Sequence, residues 1–265
     1  MHRSRLVVAT LLTGALVLLG THLMANPGGR RPAAHRVAAV QETPSPSPTP
    51  TPSPTPTPPP PPPDPNPIPS SSQVADAASS SVPVYASPTV GPATTRIQGH
   101  NDAGQTQAFL VVSQVPGWYQ VELPVKPNGS IGWVQASSVT IRGDADYLRV
   151  YQSQFLLEHY VNGQLQQSFR VAIGAPSTPT PTGHFYVWAS QEYADAPYTP
   201  GIFALSGFSP VLDNWPGGGR TGIHGWTDTR VMGTRASHGC VRVAPADFAK
   251  LLRSVPLGTP VDILP

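Results

Sequence analysis

Only one cysteine, Cys240, is found in the 265 residues, so no disulfide can form within the chain. Charge is also scarce: 11% of residues are charged and the formal net charge is +2, which argues against nucleic acid or any other polyanionic partner. Residues 1–40 carry five arginines and no acid, whereas acids and bases nearly balance from Gln73 onward. The basic excess therefore belongs to the N-terminal end and not to the folded part. Helical periodicity is almost missing as well. It is confined to residues 244–254, where Pro245 suits a first turn and Phe248, Leu251 and Leu252 recur at helical spacing.

Proline, by contrast, is abundant. The chain has 35, and about half lie between Pro44 and Pro69. A run of Pro-Ser, Pro-Thr and Pro-Pro cannot build a core; it favours polyproline II at about 3.1 Å per residue and predicts a stalk. Before it, two basic residues (Arg3, Arg5) precede an apolar run over residues 6–19, the pattern of a secretory signal, and an uncleaved membrane anchor fits it equally. Both place the remainder outside the membrane. The expected organisation is a signal or anchor at 1–25, a disordered stalk at 26–72, a small β unit at 73–143 and a larger β-rich unit at 144–265 with a short C-terminal helix. An extracytoplasmic or cell-wall location follows, with the membrane touched only through the N-terminal segment.

Residues 82–140 read as short strands separated by the turn signals Pro116-Gly117 and Pro127-Asn128-Gly129. The alternation in Trp118-Tyr119-Gln120-Val121-Glu122-Leu123 suits a half-buried strand, and five or six such runs predict a small barrel. This stretch, with Gly132-Trp133-Val134, resembles the bacterial SH3-like domains of exported wall proteins, which implies a targeting or spacer role.

From Asp146 the strand signals continue, with Asn162-Gly163 as a hairpin turn, so a hairpin-rich antiparallel sheet is expected. His159 and His184 read as surface residues. Between 189 and 219 the patterning fades, and a loop of this length in a compact domain is more often a lid or binding wall than passive packing.

The chemistry concentrates in Ser237-His238-Gly239-Cys240-Val241-Arg242, with Ile223-His224-Gly225 sixteen positions earlier counted between His224 and Cys240. A thiol of pKa about 8.5 is only a few per cent thiolate at neutral pH, and a neighbouring imidazole can raise its nucleophilic fraction. Glycine beside it lets backbone N–H groups approach a reacting carbonyl. A buried inert thiol, or zinc held by His224, His238 and Cys240 with a water, are the competing readings.

These two blocks resemble the motif of the YkuD-type L,D-transpeptidases, and the strands Tyr147-Leu148-Arg149-Val150-Tyr151 and Val171-Ala172-Ile173-Gly174 resemble that family's in order. The resemblance implies a mostly β catalytic domain that needs neither metal nor other cofactor. It further implies a cysteine acyltransferase that forms a thioester with a peptidoglycan stem tetrapeptide, releases D-alanine and transfers the acyl group to an amine. Cys240 is then the nucleophile and His224 the base. Ser237, His238, Gly239, Gly225 and Arg242 form the oxyanion and donor site, and Tyr193 and Tyr198 a lid over it. Gly225 stands where some relatives have serine, which is harmless if that position acts through its backbone carbonyl. Stem peptides are the implied partners and carbapenem-type β-lactams the implied inhibitors. An L,D-carboxypeptidase, with water as acceptor, or a non-catalytic wall-binding scaffold would use the same modules.

Overall fold

The computed structural model describes residues 67–213 and 217–265, so the expected signal segment, nearly all of the proline stalk and Trp215 lie outside the described residues. Among the described residues no helix is long and apolar enough to cross a membrane. All of them belong to one compact unit, Pro61–Pro265.

The chain is mostly β. Its first strands are β1 (Ser72–Ala77), β2 (Ser81–Val84), β3 (Thr95–Gln98), β4 (Ala108–Val115), β5 (Trp118–Glu122), β6 (Ile131–Gln135) and β7 (Val139–Asp144). Five of them form an antiparallel sheet in the order β6-β5-β4-β1-β7, and β2 and β3 form a separate hairpin tied to β6 by a bridge between Tyr85 and Trp133. The alternation seen in β5 is realised by Tyr119, Val121 and Leu123, of which Val121 and Leu123 are buried with Val82, Val84, Phe109 and Val134 in a small core and Tyr119 packs against it, while Trp118 is buried on the opposite face. Trp118 packs edge-on against Tyr85 at 5.0 Å, so this tryptophan is a core residue.

The second set comprises β8 (Asp146–Tyr151), β9 (Leu156–Val161), β10 (Gln164–Gly174), β11 (Gly183–Glu192), β12 (Gly201–Phe208), β13 (Arg220–Gly225), β14 (Arg235–Ser237), β15 (Val241–Val243) and β16 (Pro260–Leu264). The sheet order β10-β15-β13-β12-β11-β16-β8-β9 closes on itself because β9 also pairs with β10, and β14 is appended to β10. The hairpin predicted at Asn162-Gly163 joins β9 to β10, with φ of 52° and 74° as a primed turn requires. The single helix, α1 (Pro245–Ser254), has proline in its first turn and buries Phe248 and Leu251 against the barrel, where the Phe248 ring lies 4.9 Å from that of Phe203.

Three expectations are corrected. The sheet is mixed, not antiparallel: β13–β15, β16–β8 and β10–β14 are parallel. Long connections, including α1, return the chain to the same end before these strands pair, and tight turns give no hint of that. The patternless 189–219 stretch is no single loop, since β11 runs through Glu192 and β12 occupies its middle. Both faces of β12 are covered, with Phe203, Leu205, Ser206 and Phe208 all buried, so period-two alternation is lost. His159 is not on the surface: it is 4% exposed, and its Nε2 lies 2.6 Å from the Asp146 carboxylate.

The two sets of strands pack directly on each other. Leu110 of β4 meets Tyr186, Trp188 and Ala189 of β11. Arg142 binds Asp76 and donates to the Leu257 carbonyl at 2.6 Å, and the Thr259 hydroxyl donates to Asp144 at 2.7 Å. Asn128 closes a two-way contact with Phe208, both bonds at 2.9 Å. His184 bridges the sets too, with Nδ1 2.7 Å from Asp262 and Nε2 3.7 Å from Glu122.

Candidate active site

Parallel pairing of β13 with β15 places His224 opposite Arg242, and Cys240 immediately precedes β15. Along β13 the residues alternate: Ile223 enters the core, while Arg220, Gly222 and His224 share the other face. That face lines a cavity of about 530 Å³ whose wall also includes Cys240, Ser237 and His238.

His224 is 3% exposed, and its Nδ1 lies 2.8 Å from the Gly225 carbonyl oxygen. A carbonyl only accepts, so Nδ1 carries the proton and Nε2 keeps a free lone pair. Burial, reinforced by the charge of Arg242 against the pull of that hydrogen bond, pushes the imidazole pKa down to about 4. Burial likewise raises the Cys240 thiol, while a hydrogen bond from the Gly222 backbone and the Arg242 charge draw it back in part. The resting site is therefore a neutral thiol beside a neutral imidazole. The expectation that the imidazole lowers the thiol pKa gives way here, because removing the thiolate from water outweighs its neighbours.

Position 225 acts on the imidazole through its backbone. A Cβ there would stand 2.0 Å from the Thr199 carbonyl oxygen, so the close approach of this neighbouring segment excludes any side chain.

Ser237 holds the turn that carries Cys240. Its hydroxyl donates to the Cys240 carbonyl at 2.5 Å and accepts from the Gly239 N–H at 3.1 Å. The Gly239 amide is thus engaged within the turn, and its contribution is conformational: φ is +113°, which a side chain would strain. The Ser237 carbonyl accepts in turn from the Ala175 amide at 2.9 Å and the Thr178 hydroxyl at 3.1 Å.

Arg242 lies over Trp226, its Cζ 3.6 Å from the ring centroid, and donates to the Ala236 carbonyl at 3.0 Å. Tyr198 stands edge-on to His224 at 5.0 Å and to Trp226 at 5.7 Å, with Tyr193 6.4 Å away, so both tyrosines named from the sequence border the cavity.

Among the wall residues that the sequence did not single out are Trp226, Trp188, Arg220 and Asp102. Trp226 directly follows Ile-His-Gly and could have been found by its place; Asp102, from the first set of strands, carried no signal. Among the described residues no group of three or more histidine, cysteine, aspartate or glutamate side chains is arranged to hold a metal ion.

Comparison with known proteins bears on the same half of the chain. Residues 145–263 match the family model of YkuD, the L,D-transpeptidase catalytic domain. YkuD of Bacillus subtilis, itself named as a candidate L,D-transpeptidase, is 28% identical over 147 residues, 53% of this chain and 83% of that protein. An Enterococcus faecium L,D-transpeptidase structure is 26% identical with a TM-score of 0.37 over 46% of this chain, which spans only 50% of that one. L,D-transpeptidase 3 of Mycobacterium tuberculosis, solved with a faropenem-derived adduct, is 12% identical with a TM-score of 0.40, covering 60% of this chain and 91% of its own. The family model and the curated relative together support a YkuD-type L,D-transpeptidase catalytic domain over residues 145–263.

Proposed function

We propose that this chain is an exported L,D-transpeptidase acting on peptidoglycan stem peptides through Cys240. The observation that carries the reading is His224: its Nδ1–H is tied to the Gly225 carbonyl, leaving Nε2 as a base in the cavity that Cys240 lines. In this reading the Cys240 sulfur attacks the L-centre carbonyl of the stem's diamino acid as its proton passes to His224 Nε2. The tetrahedral oxyanion forms beside the Arg242 charge, which becomes a stabilising group there. Collapse breaks the C–N bond, and His224 returns its proton to the departing D-alanine amine. An acceptor amine then attacks the thioester, loses a proton to His224 and regenerates the thiol. His224 resting neutral suits this general-base route, since an imidazolium could not take the proton.

In the same reading a β-lactam carbonyl enters the same way, acylating Cys240. An SH3-like identity for residues 73–143 is supported by the five-stranded antiparallel sheet with its appended hairpin. Export is supported by the composition of the N-terminal segment and by the proline run. The test is intact-mass spectrometry of the full-length chain with a stem tetrapeptide or a carbapenem, beside Cys240→Ala. An adduct on the wild type that the variant lacks is expected, and absence of any adduct from folded protein refutes the proposal. Adding an acceptor amine separates transfer from hydrolysis.

A further inference from the structure

A row of charges crosses the seam between the two sets of strands. In the β11–β16 and β16–β8 pairings Asp262 stands opposite His184 on one side and Arg149 on the other, on the face turned away from the core that Phe185, Ile263 and Leu148 enter. Asp262 uses both carboxylate oxygens: one lies 2.7 Å from His184 Nδ1, and the other accepts from Arg149 at 3.0 Å. Past His184 the row leaves the second set of strands, because Nε2 lies 3.7 Å from the carboxylate of Glu122 at the end of β5. Signs therefore alternate along it only while His184 is an imidazolium.

A neutral imidazole has one N–H and one lone pair, so it serves one of these carboxylates and turns a lone pair toward the other; the imidazolium presents an N–H to both. Without the proton, Glu122 and Asp262, each 15% exposed, face each other across an uncharged ring. The other ionisable groups nearby do not replace it. Arg149 is on the far side of Asp262, the Tyr147 phenol is held protonated by burial, and the C-terminal carboxylate of Pro265 borders the same groove with the wrong sign. Pro69, Ser71, Gln73, Leu110 and Gln114, which close the other side, are uncharged. The pKa directions agree. Burial would lower His184, but its bond to Asp262 and the charges of Glu122 and Asp262 outweigh that and the opposing Arg149, and hold it above 6.5. Burial raises Glu122 above 4.5, and the His184 charge draws it back. At Asp262 burial is outweighed by bonds to His184 and Tyr147, which keep this carboxyl below 3.8 and ionised throughout.

We propose that His184 is a proton-controlled clamp between the two sets of strands: its imidazolium ties Glu122 of β5 to Asp262 of β16, and loss of that proton loosens the first set on the second. The His184 side chain is 42% exposed, so the proton exchanges directly with water. Linkage gives the sign: a group that binds its proton more tightly in the packed arrangement stabilises that arrangement below its free pKa of 6.5 and loses the contribution as pH rises through the higher packed value. The clamp is therefore complete between the ionisation of Glu122, above 4.5, and the deprotonation of His184, above 6.5. β11 runs on from His184 to Trp188 and Ser190, which Gln107 and Gln105 of the first set bind, and Trp188 borders the cavity. A looser seam thus reaches the active-site wall, whatever reaction occurs there.

The test is an NMR titration of the His184 ring in the full-length chain, assigned by its absence from His184→Gln. Its pKa is expected above 6.5, and Glu122→Gln should lower its proton affinity by about threefold or more, the scale of an exposed ion pair. Hydrogen exchange of the β5 and β11 amides, wild type against His184→Gln at one pH, reads the seam itself: protection about threefold greater in the wild type is expected at about pH 6, and equal protection at about pH 9. A His184 pKa of 6.5 or lower, a pKa untouched by Glu122→Gln, or a protection ratio that does not fall toward one as pH rises overturns the clamp. If the pKa drops in Asp262→Asn but not in Glu122→Gln, the proton serves the second set alone and the clamp is overturned as well. Should His184→Gln not fold, Glu122→Gln takes its place in the exchange measurement, with the same loss of protection expected at about pH 6.

Discussion

His224 combines two facts that set the pH response of the site: its Nδ1 proton is held by a backbone carbonyl, and burial keeps its pKa at about 4. In the proposed reaction the base is therefore ready over a wider range than an ordinary histidine. Acylation of Cys240 by a carbapenem, followed by mass spectrometry against pH, should show its acid limb near pH 4, with no break near 6.5; a limb at 6 to 7 would contradict the assignment. The same shift affects folding. Between pH 6.5 and 4 the unfolded chain binds the proton and the folded one does not, so this residue makes stability fall with falling pH, by on the order of 3 kcal/mol in full. Gly225 offers a second residue-level test. A Cβ there meets the Thr199 carbonyl at 2.0 Å, so Gly225→Ser must push back the segment that carries Tyr198 over His224. A loss of about 1–3 kcal/mol in thermal or denaturant unfolding is expected, with slower acylation; unchanged values would show that the segment yields freely.

β13 organises the elements around the site. Its core-facing residue Ile223 pairs with Phe203 of β12, and Phe203 is backed by Phe248 of α1, so the helix supports the strand that presents Arg220, Gly222 and His224. Phe248→Ala should cost about 3–5 kcal/mol by emptying a fully buried site. Urea midpoints measure this cost. Because the Cys240 thiol is shielded by the same packing, its alkylation rate should rise in the variant; a rate equal to the wild type's would show that α1 does not brace the site. The helix itself was legible, with Pro245 at its start and apolar residues at helical spacing. β12 was not: burial on both faces removes the alternation by which strands are recognised.

At the scale of the described molecule, the first set of strands forms part of the active-site wall. The Asn101, Gln105 and Gln107 side chains bind the edge of β11, Arg142 binds the Leu257 carbonyl, and Leu110 covers Tyr186 and Trp188. A chain beginning at residue 145, the start of the family match, should therefore melt at a lower temperature than the full chain and show red-shifted tryptophan emission as Trp188 becomes solvated. Equal melting temperatures would show that the contact contributes little.

The sequence by itself located the candidate centre. The thiol, the imidazole and their glycines lie in one short stretch, and a lone cysteine with that neighbourhood leaves few assignments. It also determined the β character, the Asn162-Gly163 turn and the helix, because each depends on local backbone preference or periodicity. Tertiary structure decided the rest. That the imidazole is held by the Gly225 carbonyl, that the Gly239 amide is bound by Ser237, and that burial keeps thiol and imidazole neutral all depend on packing no local pattern encodes. Asp102 reaches the cavity only through side chains that bind residues more than eighty positions away, and the parallel pairings arise from crossovers. Contacts this distant in the chain are set by the closing of the barrel, which brings together residues whose neighbours in sequence say nothing of one another.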